Sequence, residues 1–301
     1  MSKVKIAGAP ISWGVCEVPG WGLQMQPARV LKEMAELGLG ATEFGPEGFL
    51  PADPAAKAAV LREHGMVAVG GFFPAVLHKG DHDPLPSVLK ELESYAAAGA
   101  DVLVLAADTG LSGYDEKRPD LTAQDWQIVF ANLERIKDAS AERGVTAVLH
   151  PHVGTMVETE ADVLQVLNGS TIAFCLDTGH MIIGGTDPVA FSAQHADRVA
   201  HSHLKDVNLS IANRVQSGEI TYYQGVLEGM YVPLGTGDVD VRAIVSNLVS
   251  AGYDGWFALE QDNVVSEEPE FGEGPIADAK ASVEFIHSVV DSLLEPTDSL
   301  I

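Results

Sequence analysis

Four apolar runs in the second half of the chain each end in side chains that can bind a metal ion. The runs are VTAVL before His150, TIAFCL before Asp177, RVA before His201 and WFAL before Glu260. Stretches long enough for a helix separate them, so each run is predicted to be a buried parallel strand. In a barrel of such strands the carboxyl ends gather on one face, where active sites lie. The pattern therefore favours folds that bring these four strand ends together.

The rest of the chain continues the same alternation of strand and helix. Strands are predicted over 4–9, 41–45, 66–73 and 101–107, and helices over 27–37, 54–64, 86–98, 122–143, 159–168, 187–196, 239–251 and 277–294. Eight strand–helix units predict an α/β protein with a single (β/α)8 TIM barrel over residues 1–294 and a flexible tail at 295–301. A doubly wound open sheet is the alternative, but no G-x-G-x-x-G turn follows the first strand.

Composition excludes several classes of partner. The 301 residues include 18 Lys and Arg against 43 Asp and Glu, a formal net charge of −25. Such acidity argues against nucleic acid and anionic membranes as partners, and against a DNA-repair role, because these need a basic surface. The apolar runs are shorter than the roughly 18 residues of a membrane span. The start of the chain is predicted to be a strand and not a signal peptide.

Cysteine usage and two long loops complete the outline. The chain has two cysteines, Cys16 and Cys175, the latter inside an apolar run, so we expect free thiols and a cytoplasmic location. Segments 206–237 and 261–276 are long for loops that follow barrel strands. Such loops usually cover or line the site, and contacts in a homo-oligomer are the alternative.

Two pairs of histidines carry the strongest chemical signal. His201 and His203 are two residues apart on a predicted strand, so both side chains face the same side. Burying two imidazoles on the inner face of a barrel is costly unless each finds a hydrogen-bond partner or an ion. His150 and His152 repeat the same spacing after an earlier strand. Together the pairs predict a metal centre better than either pair does alone.

Carboxylates at neighbouring strand ends also indicate a metal site. Asp177 or Glu260 alone could equally cap a helix or join an ion pair. Next to the histidines, however, they complete a mixed set of imidazole and carboxylate ligands, which suits Mn²⁺, Co²⁺, Fe²⁺ or Zn²⁺ better than Ca²⁺ or Mg²⁺. We therefore expect a divalent metal cofactor, Mn²⁺ or Co²⁺ first, with Zn²⁺, Fe²⁺ or Mg²⁺ as alternatives.

These motifs resemble those of a known family. LDTGH at 176–180, HSHLKD at 201–206 and LEQD at 259–262 resemble the xylose-isomerase-like TIM barrel superfamily of metal-dependent sugar isomerases, epimerases and dehydratases. The longer series from HPHVGT to GYDGWFALEQD, over most of residues 145–262, is similar to the inosose dehydratase branch of inositol catabolism.

The resemblance implies a set of metal ligands. It assigns Asp177, His203 and Glu260 to the positions of the family's strand-six Asp, strand-seven His and strand-eight Glu. The family's strand-five Glu is absent, and His150 takes its position, with His152 as the alternative ligand.

The resemblance also implies an activity. The expected function is a divalent-metal-dependent dehydratase of a keto-polyol such as 2-keto-myo-inositol (scyllo-inosose). The ion would stabilise the enediolate that forms when the proton next to the carbonyl is removed. The alternative enzyme is a metal-dependent isomerase or epimerase of a free ketose, and the missing strand-five Glu argues against it. A non-catalytic sugar- or metal-binding barrel is the alternative from another class.

Five residues are candidates for acid–base work: His152, His180, His201, Lys205 and Glu43. A histidine that does not bind the metal is preferred as the base, because neutral imidazole titrates near working pH. Lys205 shares the inner side of its strand with His203 and would polarise a substrate oxygen or form a salt bridge. Glu43 ends the second strand, where it would approach the substrate or form an internal salt bridge.

Overall fold

The computed structural model describes residues 4–14, 20–111 and 113–294. Eight parallel strands close into a barrel and confirm the predicted TIM fold. They are β1 (Lys5–Gly8), β2 (Ala41–Thr42), β3 (Val67–Ala68, continued as Gly70–Ala75), β4 (Val102–Ala107), β5 (Thr146–Leu149), β6 (Ala173–Asp177), β7 (Val199–Leu204) and β8 (Trp256–Leu259). The predicted tail at 295–301 and Cys16 lie outside the described residues.

Two contacts close the barrel: the pairing of β8 with β1 and the change of partner within β3. Strand β8 pairs with β1 in parallel, with Trp256 opposite Lys5. The first half of β3 pairs with β2, and its second half pairs with β4. Gly70 lies at the change of partner, where an added Cβ would stand 1.7 Å from the carbonyl oxygen of Val102. This close approach of two backbones requires glycine.

Eleven α-helices are found among the described residues. They are α1 (Pro27–Glu36), α2 (Pro54–Glu63), α3 (Leu85–Ala98), α4 (Ala123–Ala141), α5 (Glu160–Gly169), α6 (Thr178–Ile183), α7 (Pro188–Gln194), α8 (Leu209–Gln216), α9 (Tyr222–Leu227), α10 (Val241–Ser250) and α11 (Pro275–Leu294). The sequence predicted all but α6, α8 and α9. These three helices lie between the end of a barrel strand and the next predicted helix. None of the described helices has the length and apolarity to cross a bilayer.

The barrel interior is apolar toward the amino ends of the strands. Val102, Val104, Val148 and Cys175 pack together there, and a second apolar cluster forms on β1, β2 and β3. The large main core fills the space between the strands and the surrounding helices. The carboxyl end of the barrel interior is left for polar side chains.

A β-bulge in β7 sets which side chains face that interior. Phe174 of β6 pairs with Val199, but the next residue, Cys175, pairs with His201. The extra residue is Ala200, which packs against the apolar interior. Because a bulge shifts the alternation by one residue, His201 and His203 both face the inside of the barrel beyond it.

Candidate metal centre and active site

Asp177 uses its two carboxylate oxygens for different tasks. Oδ1 accepts hydrogen bonds from the backbone N–H groups of Gly179 (2.9 Å) and His180 (2.8 Å), so Asp177 caps helix α6. Oδ2 points to the other side and lies 3.1 Å from Nε2 of His150. Asp177 is fully buried, so it caps the helix with one oxygen and leaves the other free to contact the neighbouring histidines.

Glu43 joins the two histidines of β7. Its Oε1 lies 2.7 Å from Nε2 of His201 and 2.9 Å from Nε2 of His203. The carboxylate only accepts, so each of these Nε2 atoms carries the hydrogen. Nδ1 of His203 is then left to carry a second proton or to bind a cation. This arrangement, with a carboxylate fixing the far nitrogen, is the one that metal-binding histidines generally use.

Nδ1 of His203 faces two more carboxylates. It lies 3.2 Å from Oε2 of Glu260 and 3.5 Å from Oδ2 of Asp177, yet it is buried and makes no hydrogen bond. The donor atoms of these three residues all lie within 4.8 Å of one another. Burial would lower the pKa of His203, but Glu260, Glu43 and Asp177 raise it well above its ordinary value. These carboxylates therefore stabilise a positive charge at Nδ1, which a proton or a divalent ion can supply. The donor set therefore fits a divalent ion.

His150 adjoins this group through Asp177. It shares one cluster of ligand atoms with Asp177 and His180, and another with Cys175 and His203. Its Nδ1 is buried without a hydrogen-bond partner. His150 is therefore better placed than His152 to be the strand-five ligand that the sequence left open.

The rings of His152 and His180 lie close together beside His150, with centroids 3.7 Å apart and planes tilted by 33°. Nδ1 of His152 lies 2.7 Å from the carbonyl oxygen of Val153, so this nitrogen carries the hydrogen and Nε2 keeps its lone pair. Burial lowers the pKa of His152 to about 3, with the charges of His150 and Lys205 acting in the same direction. The imidazole is therefore neutral at physiological pH, and the expectation that it titrates near working pH is wrong for His152.

Lys205 is a buried ammonium among carboxylates. Its Nζ lies 2.7 Å from Asp262, 3.1 Å from Oε2 of Glu260 and 3.7 Å from Oδ2 of Asp177. Burial would lower its pKa, but the three carboxylates raise the pKa well above its ordinary value. The salt bridge considered from the sequence is present.

The carboxylates of the group remain charged. Burial alone would raise the pKa of Glu260, but His203 and Lys205 lower it to about 2. Burial opposes charge on Glu43 as well, and the neighbouring His203 and His201 hold its pKa below the ordinary range. A cluster of ionised carboxylates at the barrel mouth is a strong attractor for a cation.

The long loops supply groups that the sequence did not single out. Tyr222 of α9 donates from its hydroxyl to Oδ2 of Asp262 at 2.6 Å. Its ring also lies near Trp21, Tyr114 and His180, and these aromatic side chains cover the histidines. Asp262 lies two residues after Glu260, so the two-residue spacing used for the histidines could have identified it. No sequence signal marks Tyr222.

The fold and this cluster define the class of protein. A family model described as the xylose isomerase-like TIM barrel matches residues 31–289. The chain belongs to that family, as the resemblance of its motifs predicted.

Individual relatives are consistent with this assignment. The chain is 33% identical to the rhizopine catabolism protein MocC of Rhizobium meliloti, over 87% of this chain and 82% of that protein. It is 31% identical to an inosose dehydratase of Geobacillus kaustophilus, over 98% and 97%. A solved L-ribulose 3-epimerase superposes with a TM-score of 0.69 at 16% identity, covering 97% of this chain and 96% of the epimerase. This last likeness supports the fold alone.

Proposed function

We propose that the chain is a divalent-metal-dependent dehydratase of a cyclic keto-polyol, with 2-keto-myo-inositol as its substrate. The carrying observation is the buried, unpartnered Nδ1 of His203 facing Asp177 and Glu260. Inosose dehydratases that align over most of the chain support the choice of substrate.

The proposed ligands are Asp177, His203 and Glu260, with His150 as the fourth. Imidazole and carboxylate together favour Mn²⁺ or Co²⁺ over Mg²⁺. When bound, such an ion supplies Lewis acidity to the substrate carbonyl. Glu43 contributes by holding the ring of His203 in one tautomer and orientation.

His152 is the proposed general base. Its hydrogen is directed to the carbonyl of Val153, so Nε2 is available to take the proton next to the substrate carbonyl. The ring of His180, packed against it at 3.7 Å, restricts the rotation of His152. A neutral base fixed in a buried site needs little reorganisation when the proton moves.

Lys205 is proposed to polarise the departing β-hydroxyl, because the carboxylates that raise its pKa keep it an ammonium. Its Nζ lies 3.1 Å from Nε2 of His180 and can donate a hydrogen bond to that hydroxyl, while the His152 imidazolium gives it the abstracted proton. The substrate loses one hydrogen and one hydroxyl, which leave as water, and an enol remains that becomes the dione. Because the abstracted proton leaves in that water, His152 is neutral again and Lys205 is unchanged. The aromatic cover formed by Trp21 and Tyr222 would keep bulk water away during the step.

An assay of protein stripped of metal with a chelator tests this proposal. The stripped protein is reloaded with Mn²⁺, Co²⁺, Zn²⁺ or Mg²⁺ and incubated with 2-keto-myo-inositol, and absorbance of the conjugated dione is followed. We expect turnover that requires added metal and is highest with Mn²⁺ or Co²⁺. Full activity without metal would refute the proposal. Turnover of free ketoses but not of the inosose would favour the isomerase or epimerase.

A further inference from the structure

The position of Lys205 depends on a chain of side chains that does not bind the proposed ion. Asp262 holds the ammonium at 2.7 Å with Oδ1, and the hydroxyl of Tyr222 donates to Oδ2 at 2.6 Å. The hydroxyl of Tyr231 lies 2.9 Å from that of Tyr222. Because a carboxylate only accepts, Tyr222 donates to Asp262 and Tyr231 donates to Tyr222. Both oxygens of Asp262 are thereby fixed.

The stem of Lys205 is confined as well. A Cβ added to Gly179 would lie 2.9 Å from Cβ of Lys205 and 2.8 Å from the ring of Tyr231. The backbone of Lys205 is held by Thr178, which accepts from its N–H at 2.8 Å. The ammonium lies 5.1 Å from the ring centroid of Tyr231. The side chain, 2% exposed, is thus enclosed from its backbone to its tip.

This confined charge lies next to the carboxylates proposed to bind the ion. Its Nζ is 3.1 Å from the same oxygen of Glu260 that faces His203, and 3.7 Å from the corresponding oxygen of Asp177. Two cations cannot share these oxygens without strong repulsion in a buried site. If the ammonium moved farther from Asp262, it would approach Asp177 and Glu260 and oppose the ion.

We propose that Asp262, braced by Tyr222, is a positioning residue that holds the Lys205 ammonium to one side of Asp177 and Glu260 and so sets the affinity of the centre for a divalent cation. The inference rests on the proposed metal centre. It assigns the long loops after β7 and β8 a part in metal binding, although neither Tyr222 nor Asp262 contacts the ion.

The test is a double-mutant cycle on metal affinity, measured by calorimetry of Mn²⁺ binding to chelator-stripped protein at one fixed pH. Tyr222→Phe removes the brace without changing any charge and should weaken binding about tenfold, within the range of coupling between contacting groups. Lys205→Met removes the competing cation and should tighten binding by about tenfold or more. In the Lys205→Met background, Tyr222→Phe should have no effect, because the group that it positions is gone.

Tyr223→Phe is the matched control. The ring of Tyr223 packs on Trp21 at 4.7 Å, and its hydroxyl makes no hydrogen bond within the described part of the chain, so Mn²⁺ affinity should not change. Asp262→Asn, which should weaken Mn²⁺ binding, is a second probe if Tyr222→Phe does not fold.

The outcomes separate this inference from the proposed function. Wild-type protein that binds no Mn²⁺ would refute both. If Tyr222→Phe binds Mn²⁺ as tightly as the wild type does, the positioning role of Asp262 and Tyr222 is refuted and the proposed function is not. Equal weakening by Tyr222→Phe with and without Lys205 would also refute the positioning role, since Tyr222 would then act through another group.

Discussion

The two ends of the barrel interior are built from the same strands but have opposite chemistry. Toward the amino ends, Val104 and Val148 are fully buried among apolar neighbours. Toward the carboxyl ends, Nδ1 of His150, His201 and His203 is buried without a hydrogen-bond partner. Buried unpaired polar atoms destabilise the fold, and the apolar packing at the amino end offsets this cost. Substitutions at the two ends should therefore affect different measurements.

The largest expected effect is that of Asp177→Asn. Asparagine keeps an oxygen to cap α6 but loses the charge of a proposed ligand, so the protein should fold, lose bound metal and lose activity by about 10³-fold or more. Elemental analysis and the dione assay check this.

Asp187→Asn is the matched control. Asp187 caps α7 through Val189 and Ala190 as Asp177 caps α6, but lies outside the cluster. It should leave metal content and activity unchanged. Full metal occupancy in Asp177→Asn would remove Asp177 from the ligand set.

His201→Ala should have the next largest effect. His201 hydrogen-bonds Glu43, which in turn orients His203, so its loss should leave the ion in place and lower turnover by about a hundredfold, the upper end of the range for groups that orient a metal ligand. Metal content and kcat are measured on the same preparation. If the variant loses its ion, His201 and not His203 is the ligand.

A substitution at the apolar end should show the reverse pattern. Val104→Ala removes buried methyl groups and should cost about 2 kcal/mol of unfolding free energy. Mn²⁺ affinity should remain as in the wild type. Thermal or denaturant unfolding, with calorimetry of Mn²⁺ binding, checks both parts. Val67→Ala is the control, because Val67 is 53% exposed and its truncation should cost little. Weakened metal binding in Val104→Ala would show that the two ends are coupled.

The smallest effect concerns a carboxylate at the amino end. Partial burial would raise the pKa of Glu134, but hydrogen bonds from Lys137, Thr171 and Ser170 lower it from 4.5 to about 2. Because the pKa of Glu134 is lower in the folded protein, its ionised form stabilises the fold at pH values above 4.5. This contribution is lost as the pH falls toward 2.

The melting temperature of wild type should therefore exceed that of Glu134→Gln slightly at pH 7. The difference should shrink as pH falls from 5 toward 2, and metal affinity should be equal in both proteins. A difference that grows on acidification would contradict the assignment.

The barrel was predictable from the sequence because strands buried on both faces appear as continuous apolar runs. The apolar runs that end in Asp177 and Glu260 also indicated that these two residues lie close together, since the carboxyl ends of parallel barrel strands lie on one face. Helix α6 was not predicted, because its six residues are too few for a periodic pattern.

The contribution of Tyr222 was not predictable for a different reason. It lies 40 residues before Asp262, on a short helix in a long loop, and tertiary packing alone brings the two together. The role of Ala200 as a bulge likewise depends on pairing with β6, which is not encoded in the local pattern.

The division of labour within Asp177 has a consequence for how the molecule matures. One oxygen accepts hydrogen bonds from backbone N–H groups, so the position of the other oxygen is fixed once α6 has formed, without a bound ion. If the proposed centre binds a cation, the newly made chain should therefore complete its tertiary structure in metal-poor surroundings and acquire that cation afterwards. Supply of the ion would then control how many finished molecules are active, and not how many survive synthesis.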